Sequence, residues 1–492
     1  MLKSGLIFVL SGLFFLIGFS QKQVGISEIF KDRGEVYFRF KAPLDITPET
    51  MTKLVSVDRR ATNDGLLYAY ANQKQFAAFL DLQIDYEILP APGIVPNVEM
   101  QSEVDIKQIT DWDFYPTYEA YIEMMYQFQE DYPDLCEIVV IGESIEGREL
   151  IAVRISDNVG EEEGEPKFLY TATMHGDETA GYPLMLRLIN YLLTNYGIDG
   201  KANIQVDNLV NSLDIFINPL ANTDGTYHGG NSSVNGATRY NANNIDLNRN
   251  YPDPEDGQHP DDEEWQQETI AFMQFAEDYQ FTMSANFHGG AEVFNYPWDT
   301  WPQLSPEDEW WQMVAHEWAD TAQFYSPPGY MTSITNSGVT NGYAWYTISG
   351  GRQDYMNYFR GCLEATLEIS NTKLLPANQL PDFWEYNYRS FLNYLDQAIE
   401  LMGSEDRYFD DNISIVPNPS NGLFYIIFEN DTSEDTQVAI SNISGNLILE
   451  KNIRFMSGGS KIEIDLGQSP AGVYFVKLQK GDVSVTKTII ID

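Results

Sequence analysis

Hydrophobic residues follow three different patterns along this chain, and these patterns divide it into three parts. In the first part, alternation of apolar and polar residues predicts strands at residues 35–40 and 66–71, and helical spacing predicts a helix at 73–80. A proline-rich break at residues 90–96 follows. We therefore predict a small α/β unit over residues 21–98, called the amino-terminal unit below.

The central part alternates continuous apolar runs with segments of helical periodicity. Such runs are typical of strands buried on both faces, and the segments between them, such as residues 179–194, predict covering helices. The predicted buried strands are residues 167–174, 213–220, 281–287 and 363–369. This alternation predicts an α/β fold with a mixed, mostly parallel sheet flanked by helices, in a central domain over residues 105–402.

The third pattern begins after an acidic break at residues 403–406. Short alternating runs, such as residues 423–428 and 473–478, are separated by turns rich in glycine, proline and asparagine. Many short strands at regular spacing predict a small β-sandwich over residues 408–492, called the carboxy-terminal module below.

The start of the chain has the pattern of a secretory signal peptide. Lys3 supplies a positive charge, residues 5–19 form an apolar run, and Ser20 is a small residue near a cleavage position. The run is shorter than the roughly 20 apolar residues that a membrane-spanning helix needs. We therefore predict that residues 1–20 direct export and that the mature chain has no transmembrane segment.

Composition narrows the class of partner. The 492 residues include 29 Lys and Arg against 73 Asp and Glu, which gives a net charge of −44. Nucleic-acid binding relies on cationic side chains that displace counterions from phosphates, so this charge argues against such a partner. Two cysteines, Cys136 and Cys362, are too few for a disulfide framework, and the usual burial of cysteine favours free thiols over a bridge.

Only five histidines occur, and two of them end apolar runs. His175 and His288 follow predicted strands, at the edge where open α/β sheets bind ligands. Glu178 lies three residues after His175 and offers an oxygen donor to the same metal ion as the chain turns. The pattern indicates a catalytic zinc site with an open position for water. Taken alone, however, it is explained more simply by histidines that cap strands.

Three further features indicate chemistry at the same edge. Arg239, Asn248 and Arg249 lie in one polar stretch, and arginines in a chain this poor in cations favour a carboxylate-binding site over a solvated loop. Tyr346 lies in a loop that contains glycine. Glu368 is the lone carboxylate of the apolar stretch 365–369, where burial raises the pKa towards the range of a general base.

Together these residues resemble the zinc carboxypeptidase family over about residues 112–402, with the motifs in the family's order. The resemblance implies a metallocarboxypeptidase that uses one Zn²⁺ to hydrolyse the C-terminal peptide bond of peptides or proteins. It implies that His175, Glu178 and His288 are the zinc ligands. It also implies that Asp246 holds the first histidine by a hydrogen bond.

The same resemblance implies roles for the remaining residues. Asn248 and Arg249 match the pair that binds the terminal carboxylate of the substrate. Arg239 matches the arginine that stabilises the oxyanion, and Tyr346 matches the tyrosine that closes over the substrate. Glu368 matches the base that takes a proton from the zinc-bound water and later gives it to the leaving amine.

The segment from His288 to Asp299 resembles the regulatory carboxypeptidase branch of this family. In that branch, the acid matching Asp299 and the glutamine matching Gln353 line the side-chain pocket, which implies a preference for C-terminal Lys or Arg. The alternative is that Asp299 only begins a turn.

The carboxy-terminal module resembles the sorting domain of the type IX secretion system, on the motifs at residues 413–422, 443–445 and 471–476. This resemblance implies that secretion machinery carries the protein across the outer membrane, so that it is secreted or lies at the cell surface. An adhesive or carbohydrate-binding sandwich is the alternative. The amino-terminal unit is either a propeptide or a permanent accessory domain, and the sequence leaves both open.

Two other functions fit the same fold. One is a zinc amidase that trims peptidoglycan peptides, and the other is a non-catalytic surface-binding protein. The residues Arg239, Asn248, Arg249 and Tyr346 favour a substrate with a free α-carboxylate. Because the matched zinc ligands and the base are all present, the peptidase is the preferred hypothesis.

Overall fold

The structure is a computed structural model. It describes residues 25–43, 46–60, 65–197, 204–411, 413–418, 420–428, 436–442, 447–453, 461–467, 469–470, 472–480 and 483–491. The predicted signal peptide at residues 1–20 lies outside the described residues.

The amino-terminal unit is a four-stranded antiparallel sheet with the strand order β2-β3-β1-β4. Its elements are α1 (Ile26–Arg33), β1 (Glu35–Lys41), α2 (Pro48–Leu54), β2 (Ser56–Arg60), β3 (Leu66–Asn72), α3 (Gln73–Asp81) and β4 (Tyr86–Ile88). Phe38 and Phe40 of β1 pack against Phe76 and Phe79 of α3. Helix α3 begins at the predicted place because Asn72 and Gln75 form a reciprocal capping box.

A short parallel pair of strands connects this unit to the eight-stranded sheet of the central domain, whose order is β13-β12-β14-β11-β9-β10-β8-β7. The elements from the connection to the last central strand are β5 (Met100–Gln101), β6 (Tyr115–Pro116), α4 (Tyr118–Asp131), β7 (Cys136–Glu143), β8 (Glu149–Ile155), β9 (Lys167–Ala172), α5 (Gly181–Asn195), α6 (Ile204–Ser212), β10 (Asp214–Asn218), α7 (Thr223–Thr226), α8 (Gln267–Tyr279), β11 (Met283–His288), β12 (Ala291–Tyr296), α9 (Asp308–Phe324), β13 (Val339–Asn341), α10 (Gly342–Trp345), α11 (Arg352–Arg360) and β14 (Leu363–Ser370). Helix α12 (Leu380–Asp411) follows.

The sheet is mixed, and its centre is parallel. Strand β9 pairs in parallel with β10 and β11, β11 with β14, and β12 with β13, whereas the other three pairs are antiparallel. Helices α4, α5, α6, α9 and α12 contribute to the large core on one face, and α8 and α11 contribute to the core on the other. This arrangement confirms the predicted α/β fold, because only coverage of both faces lets the central strands be apolar throughout.

The carboxy-terminal module contains two antiparallel sheets that share one apolar core. Their strands are β15 (Ile413–Val416), β16 (Leu423–Phe428), β17 (Thr436–Asn442), β18 (Leu447–Ile453), β19 (Lys461–Asp465), β20 (Gly472–Lys480) and β21 (Val483–Ile491). Alternate residues such as Phe424, Ile426 and Phe428 face this core, as the period-two pattern predicts.

Two smaller observations complete the fold. Cys136 and Cys362 are both buried and free. Among the described residues, no helix combines the length and the apolar character that crossing a membrane requires.

Candidate active site

The parallel strands β9, β11 and β14 bring the predicted metal ligands and base to one end of the sheet. His175 follows β9, His288 is the last residue of β11, and Glu368 lies near the end of β14 opposite His288. Gly176 permits the turn after His175, because a Cβ there would lie 2.3–2.6 Å from the backbone of residues 225, 226 and 238. The turn brings Glu178 back towards both histidines.

His175, Glu178 and His288 converge on one point. Nδ1 of His175 lies 3.1 Å from Nδ1 of His288 and 3.0 Å from Oε2 of Glu178. Nδ1 of His288 and Oε2 of Glu178 are 2.8 Å apart. The corners of a tetrahedral zinc site with bonds near 2.0–2.1 Å are about 3.3 Å apart. Two imidazole lone pairs and a carboxylate at these distances repel one another unless a cation lies between them. The donor set therefore fits Zn²⁺.

The electrostatics of these side chains also suit a metal. Burial lowers the pKa of His288 to about 4, so its imidazole is neutral near pH 7. Burial opposes ionisation of Glu178, but His175 and Lys373 outweigh it and hold the pKa of that carboxyl well below its usual value. A neutral imidazole and an ionised carboxylate are the forms that bind zinc.

Asp246 orients His175 from the far side of its ring. Oδ1 of Asp246 lies 3.1 Å from Nε2 of His175, which leaves Nδ1 to face the other donors. Oδ2 of Asp246 accepts a hydrogen bond of 2.9 Å from Nε of Arg239. Burial disfavours the carboxylate, yet the neighbouring arginines and His175 lower the pKa of Asp246 well below its usual value.

The side chain of Arg249 is buried beside this cluster with much of its hydrogen-bonding capacity unused. Its Nη1 donates to the carbonyl oxygen of Asn248 at 2.7 Å, whereas Nε and Nη2 have no partner among the described residues. Unpaired guanidinium donors are costly to bury. Nε and Nη2 are therefore available for an anionic ligand.

Glu368 and Tyr346 complete the cavity. Oε2 of Glu368 is buried and has no partner among the described residues, and burial together with Glu178 raises the pKa of this carboxyl well above its usual value. Tyr346 follows the short helix α10, and burial raises the pKa of its phenol. Both side chains line the cavity that the three metal-binding candidates also line. Arg239, Asn248 and Arg249 line the same cavity.

Asp299 lies on the wall of this cavity, whereas Gln353 does not. Oδ1 of Asp299 accepts a hydrogen bond of 3.1 Å from Asn295, and its backbone N–H donates to the buried carboxylate of Asp354. Gln353 is buried on α11 but is not among the residues that line the cavity. Its role in substrate binding stays a prediction.

Sequence reasoning missed two residues of this site. Lys373, which follows β14, donates to Oε1 of Glu178 at 2.5 Å and lies 2.6 Å from Oδ1 of Asp58. Asp58 belongs to β2 of the amino-terminal unit and also lines the cavity. A lysine five residues after Glu368, in a chain with so few cations, was a usable signal in the sequence. The sequence held no comparable signal for Asp58, because only the packing of the two parts brings it near.

Two sequence profiles of known protein families match parts of this chain. A sequence profile of the zinc carboxypeptidase family matches residues 121–390, and one of the secretion system C-terminal sorting domain matches residues 414–492. The second match indicates export, with the protein secreted or at the cell surface.

Individual relatives are carboxypeptidases. Mouse carboxypeptidase D is 37% identical over 333 residues, which cover 63% of this chain but 23% of that protein. The chain thus spans less than a quarter of the length of this relative. Mouse carboxypeptidase M is 34% identical over 320 residues, which cover 61% of this chain and 68% of that protein.

Solved structures share the fold. Carboxypeptidase A from Helicoverpa armigera superposes with a TM-score of 0.57 at 16% identity, over 75% of this chain and 98% of that chain. Thrombin activatable fibrinolysis inhibitor superposes with a TM-score of 0.55, also at 16% identity, over 75% of this chain and 99% of that chain. The profile of the zinc carboxypeptidase family matches more than half of this chain, and the chain therefore belongs to that family.

Proposed function

We propose that this protein is a secreted zinc metallocarboxypeptidase that removes the C-terminal residue of peptides or proteins. The observation that carries the proposal is the buried Arg249, whose unpaired guanidinium donors share one cavity with the His175, Glu178 and His288 donor set and with Glu368. A free α-carboxylate is the ligand that an arginine fork in such a place recognises. This arginine favours a substrate with a free α-carboxylate over one cleaved at an internal amide.

The residues of the cavity divide the reaction between them. His175, Glu178 and His288 would hold the Zn²⁺, which when bound would supply the Lewis acid that this hydrolysis needs. Arg249 and Asn248 bind the terminal carboxylate of the substrate and so set which peptide bond reacts.

Arg239, Tyr346 and Glu368 act on the bond itself. Arg239 donates to the carbonyl oxygen of the scissile bond as negative charge develops there. Tyr346 covers the bound substrate and excludes water. The free Oε2 of Glu368 accepts the proton of the attacking water and then delivers it to the leaving amine.

The proposal is tested with N-blocked dipeptides ending in Arg, Lys, Phe, Leu or Glu, each also made with an amidated C-terminus. We expect release of the terminal residue from the free acids only, loss of activity with a zinc chelator, and recovery on adding zinc. The full chain and the chain freed of its amino-terminal unit are assayed in parallel. Equal cleavage of amidated and free forms would contradict a carboxypeptidase and favour the amidase. Absence of cleavage in both chains would favour the binding protein.

We further propose that Asp299 gives the enzyme a preference for C-terminal Lys or Arg. Burial raises the pKa of Asp299 to about 6, so its carboxylate is present above that pH and is lost below it. The ratio of kcat/KM for an Arg-terminated over a Leu-terminated dipeptide should therefore increase as the pH rises through about 6. A charge-assisted hydrogen bond contributes about 1.5–3 kcal/mol, which is roughly 10–100-fold in this ratio.

Replacement of the carboxylate provides the control for this prediction. Asp299→Asn should reduce the ratio at pH 7.5 and remove its pH dependence, while Asp382→Asn on the exposed side of α12 should leave both unchanged. A ratio that is unaffected by Asp299→Asn would contradict the proposal that Asp299 binds the C-terminal side chain. The proposed peptidase mechanism would not be affected.

We also propose that the amino-terminal unit, residues 21–98, is a propeptide that covers the active site of the catalytic domain, residues 105–402. Three buried contacts support this. Asp58 lies 2.6 Å from Nζ of Lys373, Tyr70 donates to Oδ2 of Asp177 at 2.5 Å, and Glu35 accepts from the backbone N–H groups of residues 239 and 240. The cavity that remains holds about 20 Å³, roughly the room of one water molecule and too little for an amino-acid residue.

For residues 408–492 we propose the role of the sorting domain, which interacts with the secretion machinery during export. The profile match over residues 414–492 and the two-sheet architecture support this role. Residues 1–20 would direct the first step of export as a signal peptide.

A further inference from the structure

Lys373 lies beside the candidate metal site, in contact with Glu178, although it is not one of the candidate ligands. Its side chain is 4% exposed, and its Nζ has three oxygen neighbours. These are Oε1 of Glu178 at 2.5 Å, Oδ1 of Asp58 at 2.6 Å and the carbonyl oxygen of Gly289 at 3.3 Å. An ammonium group has three donors, so all of them are used.

The two oxygens of Glu178 have separate neighbours as a result. Oε2 faces Nδ1 of both histidines and accepts the backbone N–H of Gly289 at 3.2 Å. Oε1 points the other way, to Lys373 and, at 3.4 Å, to Nη1 of Arg239. A carboxylate bound through one oxygen in this way cannot rotate freely about its last torsion.

The surroundings accommodate a lysine closely. Gly290 has a φ of +115°, and a Cβ there would lie 3.2 Å from both Cε and Nζ of Lys373. The ring of Tyr70 lies on another side, with its centroid 5.4 Å from Nζ. A lysine that only compensated charge at the surface would need neither of these close neighbours.

We propose that Lys373 is a positioning residue for Glu178, which holds Oε1 so that Oε2 is presented to the metal between the two histidines. This inference rests on the proposed zinc site and goes beyond it, because it assigns a task to a residue outside the ligand set. Outer partners that orient a ligand typically change metal affinity by about 10–100-fold when they are lost.

The competing explanation is that Lys373 serves only to anchor the amino-terminal unit through Asp58. The two explanations differ in which variant affects zinc. If Lys373 acts through Glu178, Asp58→Asn should change zinc affinity by less than about threefold, and Lys373→Met should weaken it whether or not Asp58 is present.

The test measures zinc affinity of the full chain by equilibrium dialysis against chelator-buffered Zn²⁺, so that it does not depend on activity. We expect Lys373→Met to weaken zinc binding about 10–100-fold and Lys373→Arg, which keeps the charge, to recover part of it. Lys107→Met is the matched control, since Lys107 is 61% exposed and neither it nor its partner Asp131 lines the cavity. It should bind zinc as the unaltered chain does.

Each outcome decides one question. Unchanged or tighter zinc binding in folded Lys373→Met overturns the positioning role, and so does an equal loss in Asp58→Asn. If Lys373→Met does not fold, Lys373→Gln is compared with Lys373→Arg, and equal zinc affinity in these two overturns the proposal. An unaltered chain that binds no zinc at this site contradicts the proposed function itself, which is a separate result.

Discussion

Glu368→Gln should lower kcat by about 10²–10⁴-fold while KM for a C-terminal substrate stays close to its unaltered value. Oε2 of Glu368 is buried, has no partner among the described residues and faces the cavity that the metal-binding candidates also line. Glutamine keeps the size of the side chain but cannot accept and return a proton. The loss should therefore appear in the chemical step, because Arg249 and Asn248 still bind the terminal carboxylate.

Two measurements separate this result from a structural defect. Zinc content and thermal stability of Glu368→Gln should match those of the unaltered chain, since no described side chain depends on Oε2. Glu385→Gln, an exposed carboxylate on α12, should leave kcat unchanged. A Glu368→Gln variant that retains more than a tenth of the kcat would show that another group moves the proton.

The full chain should hydrolyse peptides on the order of 100-fold more slowly than the chain from which the amino-terminal unit has been removed. Asp58 pairs with Lys373 and Tyr70 donates a hydrogen bond to Asp177, and both contacts are buried. Such bonds contribute about 1.5–3 kcal/mol each, and about 2.7 kcal/mol is enough to keep 99% of the molecules closed. The cavity of about 20 Å³ admits no substrate residue in the closed form.

This prediction is measured by inserting a protease recognition sequence between Pro96 and Asn97, which are both exposed. Activity should stay low after cleavage alone and rise once the unit is separated. Asp58→Asn should raise the activity of the uncleaved chain in part, and Asp81→Asn, on the exposed end of α3, should not. An uncleaved chain as active as the separated catalytic domain would mean that the unit is an accessory domain.

Much of the central domain was predictable because each local pattern agrees with the final fold. Continuous apolar runs at residues 167–174 and 281–287 became central strands, since only helices on both faces satisfy them. The positions of His175 and His288 followed from the same rule, which brings the carboxyl ends of parallel strands to one edge. Boundaries were less certain, and β9 ends at Ala172, before Thr173 takes a positive φ of 62°.

The roles within the site depended on contacts that spacing does not encode. Asp299 lies on the wall of the cavity, and its backbone N–H is bonded to Asp354, which is 55 residues away in the chain. Gln353, predicted for the same pocket, lies on α11 outside the cavity lining. Whether a side chain lines the cavity can depend on the path of one loop or on one turn of a helix, and the amino-acid order does not show either.

The amino-acid order was enough to predict the family and the fold class, and it named candidate residues for binding zinc, a carboxylate and a proton, because these residues lie at fixed offsets from buried strands. The contacts of Lys373 after β14 with both Asp58 of β2 and Glu178 became apparent only from the folded chain. These three residues are separated by more than a hundred positions in the chain, and no local periodicity links them. Their contact arises because the amino-terminal unit packs against the end of the sheet where the central strands terminate. Such packing depends on how two folded surfaces fit together, and no single stretch of sequence encodes it.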